Sequence, residues 1–168
     1  ENAFFTYLKQ LPPTPPDQLL SAYARAQEQY AAHGITTIQD GMAVEEMFPM
    51  YQMLLDSGIL KLDLVVYPSP QAYDAAVERF GALPPERHLR IGGMKVYLDG
   101  SPQGRTAWMR EPYAGEADYR GYGTMEDAAL EEAMELACMR RTQLGGHRGA
   151  EGETEVLRAW LAVTASEA

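Results

Sequence analysis

The chain has a single cysteine, Cys138, among 168 residues. An internal disulfide framework is therefore excluded, and a reducing compartment, hence a cytoplasmic location, is the expectation. Basic residues are few: 14 Lys and Arg stand against 24 Asp and Glu, leaving a net charge of −10. Nucleic acid and anionic membrane are thereby disfavoured as partners, since both need a cationic surface. No apolar run approaches the roughly 18 residues of a membrane span, and no signal-peptide pattern occurs. Only three histidines are present, His33, His88 and His147, and no two of them form a His-x-His pair. No glycine-rich phosphate loop follows a first strand. An initial methionine is also absent: the chain opens at Glu1 with Ala3, Phe4, Phe5, Tyr7 and Leu8 close behind, as expected of a fragment or an excised domain.

The most informative stretch present is Ile91-Gly-Gly-Met-Lys-Val-Tyr-Leu-Asp-Gly-Ser101. Strand side chains alternate between faces. Residues 91–98 read as a strand, with Met94, Val96 and Leu98 on one side and Lys95, Tyr97 and Asp99 on the other. A lysine pointing into a barrel or crevice has a desolvation cost and needs a partner or a chemical change. Capping the strand, or pairing with Asp99, is the plainer role for it.

Helix and strand signals alternate along the rest. Thr14-Pro15-Pro16-Asp17 resembles a capping box ahead of Leu19, Ala22, Tyr23, Ala26 and Tyr30 at helical spacing, with Gly34 as the stop. Ile35–Asp40 reads as a strand. Val44, Met47, Tyr51 and Leu54 mark a helix restarted at Pro49 and ended by Gly58. Leu60–Tyr67 reads as a strand, and Ser69-Pro70 opens a helix with Tyr73, Ala76, Val77 and Phe80 inward. Thr124-Met125-Glu126-Asp127 caps a helix reaching about Arg140, in which Cys138 is expected to be packed. Thr142–His147 is a short strand, and 154–163 a last amphipathic helix. Such alternation predicts an α/β fold with a parallel sheet of about four strands, one domain by length. A closed eight-stranded α/β barrel takes about 250 residues, so the chain is either a small open sheet or part of a barrel. The connection 99–123 is long for this fold class. With Ser101, Gln103, Arg105, Trp108, Arg110, Tyr113 and Tyr119 it reads as an ordered binding loop at a strand's C-terminal end.

Two blocks, His33-Gly-Ile-Thr-Thr-Ile-Gln-Asp-Gly41 and Gly92–Tyr113, carry a resemblance. The chain resembles the amidohydrolase superfamily, in the branch that includes N-substituted formamide deformylase and exoenzyme regulatory proteins. That branch shows a Gly-Val-Thr-Thr-Val-Gln-Asp type strand, then Lys-x-x-x-Asp-Gly-Ser and a Gly-Arg-Thr-Ala loop, matched here by Gly34–Asp40, Lys95–Ser101 and Gly104–Ala107. The likeness runs from residue 1 to about 141; residues 142–168 read as a diverged tail.

The resemblance implies a partial (β/α)8 barrel, hydrolysis of amide or related C–N bonds, and a divalent metal, zinc foremost. It implies that Lys95, carboxylated, is a bridging ligand, a carbamate being a hard oxygen donor suited to such ions. His147 falls near the family's downstream metal histidine, although His-x-x-Gly-Asp has become His147-Arg-Gly-Ala150-Glu151. The family's first-strand His-x-His is missing, so the isolated chain is expected to be inactive. Asp99 and Arg105 are candidates in the substrate loop; Arg105 alternatively holds that loop to Asp99 or Glu111, and Asp99 positions Lys95 or caps the loop. His33 and His88 read as surface residues. A small amide-type substrate and a homo-oligomer are the expected partners. The competing reading is a non-catalytic α/β binding or assembly module.

Overall fold

A computed structural model describes residues 10–12 and 14–147. Its elements are α1 (Pro16–Ala32), β1 (Thr37–Ala43), a 3-10 turn (Glu45–Met47), α2 (Phe48–Ser57), β2 (Asp63–Pro68), α3 (Pro70–Phe80), a 3-10 turn (Pro85–Arg87), β3 (Leu89–Ile91), β4 (Gly93–Tyr97), α4 (Asp127–Met139) and β5 (Gln143–His147). All strand pairings are parallel. One sheet has the order β1-β2-β3, and β4 pairs with β5 in a second. The α/β class with parallel strands and flanking helices is as expected. The chain divides into two compact units, up to Gly92 and from Gly93 onward. The helix expected at 154–163 lies outside the described residues.

In the first unit, β2 is the central strand, and Leu64, Val65 and Val66 are all buried. Leu64 and Val66 join Leu89 beneath α2 and α3, where Phe48, Tyr51, Leu54, Ala72, Ala76 and Phe80 close the core. Phe80 meets both Phe48 and Tyr51 edge-on, with ring centroids 5.5 and 6.1 Å away, the geometry that the ring quadrupoles favour. The termini of α2 and α3 follow from local chemistry. Gly58 takes the left-handed conformation (φ 64°) that ends α2. Ser69 Oγ accepts the Ala72 N–H at the start of α3, with Pro70 preset in the first turn.

Four expectations are corrected. First, the strand expected to run unbroken over 91–98 is split at Gly92: Leu89–Ile91 joins β2, and Gly93–Tyr97 joins β5. A Cβ at Gly92 would lie 2.5 Å from Val65 Cγ1 and 2.7 Å from the Tyr67 ring, so only glycine fits there. Second, the helix caps at Thr14 and Thr124 do not form. Pro15 occupies the first cap position with no side-chain bond. Thr124 Oγ1 instead donates to Tyr97 O at 2.9 Å, leaving Glu126 at the cap of α4. Third, the face of α1 is rotated. Ala22, Ala26 and Tyr30 are not buried, and the buried residue is Gln27, flanked by Leu20 and Tyr23. Fourth, Cys138 is exposed. The buried stripe of α4 is Leu130, Ala133, Met134 and Ala137, and position 138 lies one residue, about 100°, around the helix from it.

Candidate functional site

Alternation on β4 orders the site. Val96 and Leu98 pack on Leu130, Ala133 and Met134 of α4, and Met94 is fully buried. Lys95 and Tyr97 therefore occupy the face turned away from that helix. Lys95 is half-buried. Its stem lies beside β5, where a Cβ at Gly145 would touch Lys95 Cδ at 3.7 Å. Its Nζ stands 5.8 Å from the Tyr97 ring centroid, a distance at which a cation is attracted by the ring face. Among the described residues Lys95 forms no ion pair. Burial pushes its pKa below the usual lysine value, because the ammonium has lost part of its hydration.

That shift predicts a pH-dependent stability. The unfolded chain binds the proton more tightly than the folded one, so stability rises with pH as Lys95 deprotonates. The penalty is complete below the lowered folded value and gone above the ordinary lysine value of about 10.4. A Lys95→Met variant should melt at a higher temperature than the parent at pH 7, and the difference should shrink as pH rises toward 10. A thermal melt series followed by circular dichroism reads this directly; a Lys95→Met variant that melts lower at pH 7 refutes it.

Asp99 continues the same parity and is buried, only 4% exposed. Its carboxylate accepts the Trp108 backbone N–H at 3.0 Å. This bond ties the start of the loop to its middle. The loop then closes on itself. Ser101 N–H donates to Thr106 Oγ1 at 3.0 Å, Thr106 N–H to Ser101 O at 3.1 Å, and Gly104 N–H to Ser101 Oγ at 3.3 Å. Tyr113 stacks on Tyr119 and donates to Ala107 O at 2.8 Å. Met109 N–H reaches Arg120 O at 2.7 Å, and Thr124 N–H reaches Leu98 O at 3.0 Å. The expected ordered loop is present.

Arg105 is held to this loop, with a different partner from either expected one. Its Nη2 lies 3.0 Å from Glu116 Oε1 and 3.2 Å from Ala114 O, and its guanidinium stacks 5.5 Å from the Tyr113 ring centroid. Glu116 replaces Asp99 and Glu111 because the tyrosine stack folds residues 113–119 back over Arg105.

His147 ends β5 in register with Tyr97; Ala150-Glu151 lie outside the described residues. His33 caps α1, its Nδ1 2.8 Å from Gln29 O, and is exposed. The exposed His88 places Nδ1 2.9 Å from Asp63 Oδ1. Both are surface residues, as expected. Among the described residues no three of His, Cys, Asp and Glu gather where an ion would sit. Lys95 fits a metal as one carbamate donor, and the described donor set is incomplete without others.

Sequence reasoning missed Asp40. Its carboxylate accepts the Tyr51 O–H at 2.8 Å, tying β1 to α2. Burial, then that bond and the negative charge of Asp40, push the Tyr51 pKa up; burial and the same charge raise Tyr23. The pair stiffens the helix-facing side of the sheet. β1 ends just beyond it in a bulge at Met42, whose φ is 94°.

Comparison with known proteins adds the following. The amidohydrolase family model matches residues 1–168. An uncharacterized metal-dependent hydrolase from Pyrococcus horikoshii OT3 superposes with a TM-score of 0.68 at 24% identity, over 92% of this chain and 31% of that one. An uncharacterized metal-dependent hydrolase from Pyrococcus furiosus gives a TM-score of 0.63 at 29% identity, over 75% and 27%. The chain thus spans less than a third of the length of either structure. No curated protein matches it.

Proposed function

Because the chain belongs to the amidohydrolase family, we propose that it is the central part of a metal-dependent hydrolase acting on amide or other C–N bonds. The reading places its parallel strands within a (β/α)8 barrel and its sequence in the branch with N-substituted formamide deformylase and exoenzyme regulatory proteins. The observation that carries it is Lys95: an amine half-withdrawn from water, on the strand face opposite the helix, with no ion-pair partner among the described residues.

Burial favours the neutral amine, the form that attacks carbon dioxide. A new N–C bond then forms, one N–H proton leaves to water, and the cation becomes an anionic carbamate with two hard oxygens. In this reading Lys95 supplies those oxygens and His147 a nitrogen to a divalent metal, zinc, from neighbouring strands. Their Cα atoms are about 8 Å apart for this register. When bound, such a metal lowers the pKa of a water and polarises the scissile carbonyl. Tyr97 flanks Lys95, while Asp99 and Arg105 hold the loop over the strand end without being spent on substrate. Two ligands cannot complete the centre, so the 168-residue chain is inactive by itself. β1 and β3 in the first sheet, and β4 and β5 in the second, each pair with one strand among the described residues, leaving edges for further strands or a second copy. No helix among the described residues is long and apolar enough to cross a membrane; the single cysteine is what supports a cytoplasmic location.

The test is metal analysis of the purified chain supplied with zinc and bicarbonate, together with formamide and N-acyl amide hydrolysis. We expect less than one zinc per chain and no turnover. One firmly bound zinc that persists in Lys95→Met removes Lys95 from the proposal. The reading as a non-catalytic module draws on the missing three-ligand cluster among the described residues. It would prevail if the complete polypeptide binds no metal.

A further inference from the structure

The face of α1 that its apolar spacing marks out is not the face the fold buries. Ala22, Ala26 and Tyr30 are exposed on the helix, and Tyr30 and the nearby Ile35 are 45% and 38% open to water. Ala26, Tyr30 and Ile35 line an open groove of about 550 Å³ together with Arg25 and His33. The alanines are small, so a second helix can come close to this face. Arg25 is the one permanent charge in the groove. It donates to Ser21 Oγ at 2.7 Å and, among the described residues, pairs with no carboxylate. An open apolar groove with a cation at one end suits an amphipathic helix that carries an acid and an apolar side chain.

The chain itself carries such a helix. On α4, Ala128, Glu132, Glu135 and Met139 fall within about 60° of one another and point directly away from the buried stripe of Leu130, Ala133, Met134 and Ala137. Met139 is 73% exposed, the most open large apolar side chain among the described residues. Glu132 and Glu135 are exposed and form no ion pair among the described residues. The spacing also matches. Met139 lies about 10 Å along α4 from Glu132, and Ala32, the last residue of α1, about 10 Å along α1 from Arg25. With the two helices side by side and running the same way, Glu132 meets Arg25 and Met139 meets the Tyr30 and Ile35 end, where its sulfur suits an aromatic ring. We infer that the α1 groove is the docking site for α4 of a second copy of the chain. A chain of net charge −10 repels its own kind at long range, and the Glu132–Arg25 pair sets opposite charges at the contact. Because the contact joins unlike patches, copies add head to tail until a ring closes.

The experiment is analytical ultracentrifugation of the 168-residue chain over a range of concentrations. The average mass should rise with concentration, and rise less as salt goes from about 50 to about 500 mM, since salt screens the ion pair. Arg25→Glu and Glu132→Arg, each alone, should weaken association at least about tenfold, because like charges then face each other. An equimolar mixture of the two variants should associate as the parent does: Glu at 25 meets Arg at 132, and the native pair forms at the next contact. Both changes in one chain should restore association as well. Met139→Ser should weaken it about tenfold and leave its salt dependence in place. All three positions are exposed, so far-UV circular dichroism should match the parent in every variant. A chain that stays monomeric at every concentration overturns the inference. So does association that neither charge reversal changes, which would assign the contact to the open strand edges. A mixture no more associated than its two components overturns it too.

Discussion

Replacing Lys95 by alanine in the complete polypeptide should reduce amide hydrolysis by at least the ~10²–10³-fold seen when one preorganised electrostatic partner of the reacting centre is removed. The loss should be larger if the bridging anion is needed to retain metal at all. The reasoning is chemical. An alanine leaves β4 intact, since Met94, Val96 and Leu98 keep their packing on the other face, and Gly145 beside the lysine stem has no side chain to collapse into the gap. What disappears is an anion that only a carboxylated amine can supply from this position. The variant should therefore regain part of its activity when millimolar acetate or propionate is added, because a short carboxylate fits the vacated space and restores two oxygens. Lys95→Gln, which fills the space with a neutral amide, should be as inactive as Lys95→Ala and insensitive to acetate. Rates at several carboxylate concentrations decide the matter: equal loss in both variants with no rescue would mean that the amine acts in some other form.

How much of the fold and site is legible in the sequence depends on whether the determining contact is local. The two-residue alternation through Met94–Leu98 shows directly which side of the strand carries Lys95, and the structure keeps that parity. Ser69-Pro70 and Gly58 act within one helical turn and set helix ends where they stand. The strand break at Gly92 is half visible. Two adjacent glycines in a strand mark close backbone approach, but the groups that demand it, Val65 and Tyr67, are more than twenty residues upstream. The bond from the Trp108 N–H to Asp99 spans nine residues across a loop, and no periodicity reports it. Arg105 reads as a loop cation, yet its choice of Glu116 depends on the Tyr113–Tyr119 stack. The α1 face is hidden for a different reason: apolar spacing assumes that buried positions are apolar, and the buried position there is a glutamine.

That glutamine predicts the largest loss of stability. Gln27 is 5% exposed and serves as a substitute for backbone pairing. Its Oε1 accepts Lys61 N–H at 2.8 Å and Leu62 N–H at 3.2 Å, and its Nε2 donates to Ile59 O at 3.1 Å and Tyr23 O at 3.3 Å. The segment 59–62 leads into β2 without regular secondary structure, so these bonds fasten it to α1. Gln27→Leu keeps the volume and removes every one of them. A buried group left unpaired costs about 1–3 kcal/mol. Lys61 is exposed, and its freed N–H can find water. Leu62, 8% exposed, cannot do so easily. A cavity of about 150 Å³ beside Gln27, lined by Ala24, Glu28, Ala31, Ile59 and Leu62 among others, admits water and offsets part of the penalty. The expected net destabilisation is about 2–3 kcal/mol, a fall of roughly 1 M in the urea midpoint at an ordinary slope. Gln27→Glu separates the polar bonds from the packing. When protonated it keeps an acceptor and one donor; when ionised it turns a charge toward two carbonyl oxygens. Its carboxyl is thus held above the usual value in the folded state. Stability is therefore retained at pH 4 and falls as pH rises from the unfolded value of about 4.3 through the raised folded one. A Gln27→Leu midpoint within about 0.2 M of the parent, or a Gln27→Glu variant indifferent to pH between about 4 and 7, would show that the segment is held by its apolar contacts and not by this amide.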